Sequence, residues 1–147
     1  MNVSWNKSKK KLAILWFLFS STIFFLLLAQ TILGRYGDDI EQVWGWFLPT
    51  IMPTLSMITG VLIIDVVKKK KLDQEVDRFF FRLSFTLSFF YLFTVILTIL
   101  LQPFAAYDYA ELMELSNLWL APFQGLVGAS LGVFFVSKQE LAASVPV

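Results

Sequence analysis

Asp65 is the acidic residue closest to the interior of an apolar run, three residues ahead of the basic stretch Lys68 to Lys71. A carboxylate at membrane depth marks a proton relay or an ion path, because its charge is expensive to hold there without a partner. So near a basic flank, Asp65 can also reach the headgroups or pair with a lysine, and either outcome makes it structural. The remaining polarity inside the apolar runs is neutral: Ser20, Ser21, Thr22, Thr54, Ser56, Thr59, Ser84, Thr86, Ser88, Thr94, Thr98, Gln124 and Ser130. A helical hydroxyl can bond a carbonyl one turn back, so most of these need neither substrate nor partner helix. Hydroxyls facing one another would instead line a polar path for a small solute or an ion.

The chain contains no histidine and no cysteine. This excludes the commonest general base, thiol nucleophiles, disulfide exchange and thiolate metal sites. No nucleophile stands beside a base, and no metal-ligand cluster or phosphate-cradling loop appears. The expectation is a protein that is not an enzyme and carries no cofactor or metal.

The elements that must position these residues follow from composition. Of 147 residues, 57% are hydrophobic and 16% charged, too little polar surface to coat a soluble domain. Four apolar runs are long enough to cross hydrocarbon: about 12–33, 46–67, 83–101 and 118–136. The fold class expected is an all-α, four-helix transmembrane bundle forming one domain over 1–147, with outer loops 34–45 and 102–117 and a cytoplasmic loop 68–82. The first run is too long for a signal peptide and lacks a small-x-small cleavage site. Of the 12 Lys and Arg residues, all but Arg35 fall before the first run, in 68–82 or after the fourth run. Short basic loops stay cytoplasmic, so both termini are expected inside, in a bacterial inner membrane. Tyr36, Trp44, Trp46, Tyr107, Tyr109 and Trp119 are expected as an outer aromatic belt, with Trp5 and Phe79 to Phe81 at the inner interface.

Ala121, Gly125, Gly128 and Gly132 recur at helical spacing along one face of the fourth run. Small residues let helix backbones approach closely in lipid, so this face is expected against another helix, of the same chain or of a second copy. Pro49 and Pro53 are expected in the first turns of the second run, with Pro122 in the comparable region of the fourth. A bend at Pro53, together with Thr50 and Thr54, would open a polar vestibule; Gln30 and Gln102 are expected at the interface, where a ring of such amides in an oligomer could form a constriction.

A shift of 72 residues without a gap places Phe17 on Phe89, Thr22 on Thr94, Gln30 on Gln102 and Gly60 on Gly132. Such a match describes two hairpins related by duplication, with a pseudo-twofold along the membrane normal. The segment between the hairpins holds Lys68, Lys69, Lys70, Lys71, Asp73, Glu75, Asp77, Arg78 and Arg82. It suits anionic lipid headgroups or docking of a soluble partner. Direct nucleic-acid binding is not expected, since lysines beside a membrane are explained without it.

In span number and size alone, the layout is similar to the membrane subunits of bacterial anti-phage systems such as Kiwa. That resemblance implies a soluble partner and carries over no residue. The partners expected are the lipid bilayer, further copies of the chain, and a soluble or membrane protein. The functions expected are a membrane-permeabilising assembly or an anchor for such a partner, with a transporter using hydroxyls and Asp65 as the alternative.

Overall fold

The computed structural model describes residues 2–67 and 75–135. Four helices dominate it: α1 (Trp5–Ile32), α2 (Ile40–Val67), α3 (Arg78–Leu101) and α4 (Tyr109–Phe135). All four are long and apolar enough to cross a membrane. All four begin before the apolar run that announced them, because hydropathy locates hydrocarbon, whereas helical hydrogen bonding continues into polar sequence. Thus Lys7 to Lys11 belong to α1, and most of the two expected outer loops is helical. Glu41 and Glu111 occupy the first turns of α2 and α4, where a carboxylate offsets the positive end of the helix dipole. The start of α3 is capped by Asp77, whose carboxylate accepts from the Phe79 amide at 2.9 Å.

Two turns of different construction close the far end of the bundle. After α1, the Gly34 amide donates to the Thr31 carbonyl and the Arg35 amide to the Gln30 carbonyl, both at 3.0 Å. This is a Schellman stop, and it requires the positive φ of 70° that Gly34 adopts. The turn after α3 uses a 3-10 segment, Gln102–Phe104, with Pro103 in its first positions.

A feature absent from the sequence expectation sits at the opposite end. Strands β1 (Asn2–Ser4) and β2 (Glu75–Asp77) pair antiparallel, with Val3 opposite Val76. Each strand runs directly into a helix, so the pair clasps the start of α1 to the start of α3.

Contacts between helices order them as a ring, α1–α2–α4–α3: α3 packs most extensively on α4, then α2 on α4 and α1 on α3, with α1 on α2 the smallest. α1 and α3 are therefore parallel neighbours, as are α2 and α4. A twofold along the bundle axis would have set each pair diagonally, so the expected pseudo-twofold is not the relation between the hairpins. Leu12, Trp16, Phe47, Ile51, Tyr91 and Phe134 are fully buried along the centre. Close packing of such side chains gains dispersion energy in lipid, where burial from water contributes nothing.

Candidate functional site

At the clasped end, Lys9 Nζ lies 2.8 Å from Asp65 Oδ2. Lys9 is only 7% exposed, whereas the Asp65 side chain is 43% exposed. The ammonium also lies 6.0 Å from the Trp5 ring centroid and 5.8 Å from that of Phe135. Aromatic faces stabilise a cation that has lost part of its water. Asp65 is thus paired, and its partner comes from the start of α1. The pair sits near the helix ends, away from mid-bundle.

In mid-bundle, the Thr50 carbonyl accepts from Tyr91 Oη at 3.1 Å and from Gln124 Nε2 at 3.3 Å, joining α2 to α3 and α4. The reason lies in proline placement. Pro49 and Pro53 are inside α2 and Pro122 is inside α4, well past the first turns where the sequence put them, because both helices start earlier than their apolar runs. Pro53 removes the amide that would bond the Pro49 carbonyl, and its ring crowds the turn that holds Pro49 and Thr50. Neighbouring helices supply donors to such a turn in a membrane bundle. One turn toward the start of α2, Trp46 Nε1 donates to Ser116 Oγ at 2.8 Å, and Ser116 donates onward to the Met113 carbonyl at 2.7 Å.

The expected vestibule is not assembled. Thr50 and Thr54 are buried, Pro53 is exposed on the outside of the bundle, and Thr50 Oγ1 donates to the Trp46 carbonyl at 2.6 Å. Gln30 accepts from the Tyr36 hydroxyl, and Gln102 is buried on the other connection. Tyr36 turns inward against Tyr109, ring centroids 4.8 Å apart, and Trp46 turns inward to Ser116. Both side chains face the bundle because each polar tip finds a partner there, Gln30 half-buried and Ser116 buried. Burial, aided by Tyr109, pushes the Tyr36 phenol up to about 12, with Arg35 opposing.

The glycine face points out of the bundle. α4 buries Met113, Ser116, Leu120, Val127, Ser130, Leu131, Phe134 and Phe135, while Ala121 and Gly125 are exposed and Gly128 and Gly132 half-buried. A Cβ placed on Gly125, Gly128 or Gly132 would meet no atom within 4 Å. No helix of the described chain approaches these glycines closely. Along the outside, a groove of about 180 Å³ between α3 and α4 is lined by Thr94, Leu97, Thr98, Leu101, Leu112 and Trp119, with Ala105.

Of the expected docking segment, Lys68 to Lys71 and Asp73 lie outside the described residues. Glu75 and Asp77 belong to β2, and Arg78 and Arg82 to the first turns of α3. Among the described residues, no group of three or more His, Cys, Asp or Glu could hold a metal. Sequence reasoning missed Lys9, Tyr91, Trp46 and Ser116. Lys9 carried a signal, since it continues the helical stripe Leu12, Trp16, Ser20, Ile23 and Leu27 that faces inward.

No protein family, curated protein or solved structure matches the chain.

Proposed function

We propose that the chain is a non-enzymatic integral membrane protein of a bacterial inner membrane, with both termini cytoplasmic, that self-assembles through the glycine face of α4. The observation that carries this reading is the open space beside Gly125, Gly128 and Gly132. Lipid tails can fill such a face, but a second α4 packs there with closer backbone contact than any branched residue permits. The centre of the bundle is filled by Trp16, Phe47 and Tyr91, so a permeability path through the assembly runs between protomers.

The test is particle mass in mild detergent and in nanodiscs. The native chain is expected as an oligomer, and Gly128→Leu with Gly132→Leu as a folded monomer of unchanged helicity, since a Cβ at either position meets no atom within 4 Å. A native chain that is monomeric at all concentrations sinks the reading. Flux of ions or a small dye after reconstitution then tests the path.

The clasp favours a second reading, an anchor for a soluble partner. Pairing of β1 with β2 fixes Glu75–Asp77 beside the start of α1, and a fixed segment binds with less loss of entropy than a free one. A silent bilayer and a soluble protein that co-purifies only with an intact Lys68 to Arg82 segment would decide for anchoring. Transport through Asp65 predicts saturable uptake that Asp65→Asn abolishes.

The hairpins are also read as duplicated. Strand, helix, 3-10 turn and helix occur twice in the same order. Val3 pairs with Val76, its counterpart in that repeat. The gapless 72-residue register is not kept along its length, because α1 has 28 residues and α3 has 24.

A further inference from the structure

We infer that α1 and α3 part along a polar seam, admitting water to Trp16, Ser20, Ser84 and Ser88 from the clasped end of the bundle. Elsewhere in the bundle, buried hydroxyls close on a carbonyl of their own helix: Ser8, Thr50, Thr98, Ser116 and Ser130 do so at 2.6 to 3.2 Å. Ser20, Ser84 and Ser88 do not, and among the described residues their hydroxyl oxygens and the Trp16 indole nitrogen have no hydrogen-bond partner. All four residues are more than nine-tenths buried. They occupy two parallel neighbouring helices, Trp16 and Ser20 one turn apart on α1, Ser84 and Ser88 one turn apart on α3. Ser88 and Ser84 continue inward from Tyr91, whose ring centroid is 5.9 Å from that of Trp16.

An orphaned polar group in hydrocarbon has no solvent to restore its lost bond. Four of them on two neighbouring helices raise the energy of the dry packing and narrow its gap to a hydrated arrangement. The four are an indole donor and three hydroxyls that both donate and accept, a set that water bridges readily. Ser84 and Ser88 lie about 9 and 15 Å along α3 from Arg78, so the seam reaches from the clasped end toward the middle. Beyond it, Ile23 and Leu27 of α1 and Val95 and Ile99 of α3 are buried and apolar, and close the path. α1 is the helix freest to move, since it packs least on its two ring neighbours together. The Lys9–Asp65 pair and the β1–β2 clasp hold its start, so water enters when these contacts release.

This inference rests on the membrane-spanning reading, and the chain's lack of cysteine lets one experiment test both. Single Ser88→Cys, Ser84→Cys and Ser20→Cys variants in proteoliposomes are treated with a small charged methanethiosulfonate. Val95→Cys, buried on α3, is the dry control, and Phe90→Cys, exposed on the same helix, is the lipid-facing control. The expected result is labelling of Ser88→Cys and Ser84→Cys at least tenfold faster than of either control. Serine thiols as silent as Val95→Cys, with Phe90→Cys silent too, overturn the seam while the membrane reading stands. Rapid labelling of Phe90→Cys overturns both. A second measurement needs no thiol: Ser84→Ala with Ser88→Ala is expected to raise the thermal midpoint in detergent. A lowered midpoint means that the hydroxyls are satisfied in the resting state, and the inference fails.

Discussion

Lys9 and Asp65 are 56 residues apart in sequence and meet at 2.8 Å, tying the start of α1 to the end of α2. The two partners differ in exposure, and that difference sets what their removal does.

Asp65→Asn leaves the buried ammonium an amide acceptor but removes the charge that neutralises it. Lys9→Met leaves a half-exposed carboxylate that headgroup water can solvate. Removing one partner of a fully buried pair costs about 3–5 kcal/mol, and the exposure of Asp65 reduces this to about 1–2 kcal/mol for Asp65→Asn. Lys9→Met is expected to cost less. Thermal midpoints of the two variants and of the double variant give the comparison, and equal penalties would mean that Lys9 is solvated.

Tyr91 and Gln124 share one acceptor, the Thr50 carbonyl. Tyr91→Phe is expected to lose about 1 kcal/mol, and Gln124→Leu less, given its longer contact. The double variant should lose more than the sum, because only then is the carbonyl beside Pro53 left without a cross-bundle donor. Strict additivity in chemical denaturation would show that the two bonds do not share their acceptor.

Ser116→Ala removes the acceptor of the Trp46 indole and leaves a buried N–H. The expected loss is about 1–3 kcal/mol, larger than for Ser116→Thr, which keeps the hydroxyl. Tryptophan emission should shift as the indole loses its partner, and an unchanged spectrum would place Trp46 elsewhere.

Tyr36 gives the bundle a dependence on alkaline pH. Its phenol is raised from 10.0 to about 12 in the folded chain, so between these values the unfolded chain binds fewer protons than the folded one. The stabilisation is fully present below pH 10 and is lost as pH rises through about 12. The thermal midpoint is expected to fall across that window, and Tyr36→Phe to flatten the fall. A Tyr36→Phe curve parallel to the native one would assign the dependence to other groups.

How much was legible in the sequence varies by element. The four apolar runs and their up-and-down order could be read directly, since a helix in hydrocarbon must satisfy its backbone internally and therefore be long and apolar. The starts of all four helices were placed late, and with them Pro49, Pro53 and Pro122, because polar residues can extend a helix beyond the hydrocarbon. The glycine stripe was visible as a face, but its outward aspect was not. The clasp of Asn2–Ser4 with Glu75–Asp77 left no readable sign, since three residues are too few for an alternating pattern.

By itself, the sequence determined that the chain has no histidine or cysteine chemistry and that four segments can cross a bilayer. These are properties of residue type and local hydrogen bonding, which do not depend on what lies alongside. The tertiary structure alone decided that Asp65 pairs with Lys9, that Tyr91 and Gln124 meet at Thr50, and that α1 lies beside α3. Those outcomes depend on which helix faces which, and in lipid that choice is made by shape and by polar partners across the bundle, neither of which hydropathy along one chain records.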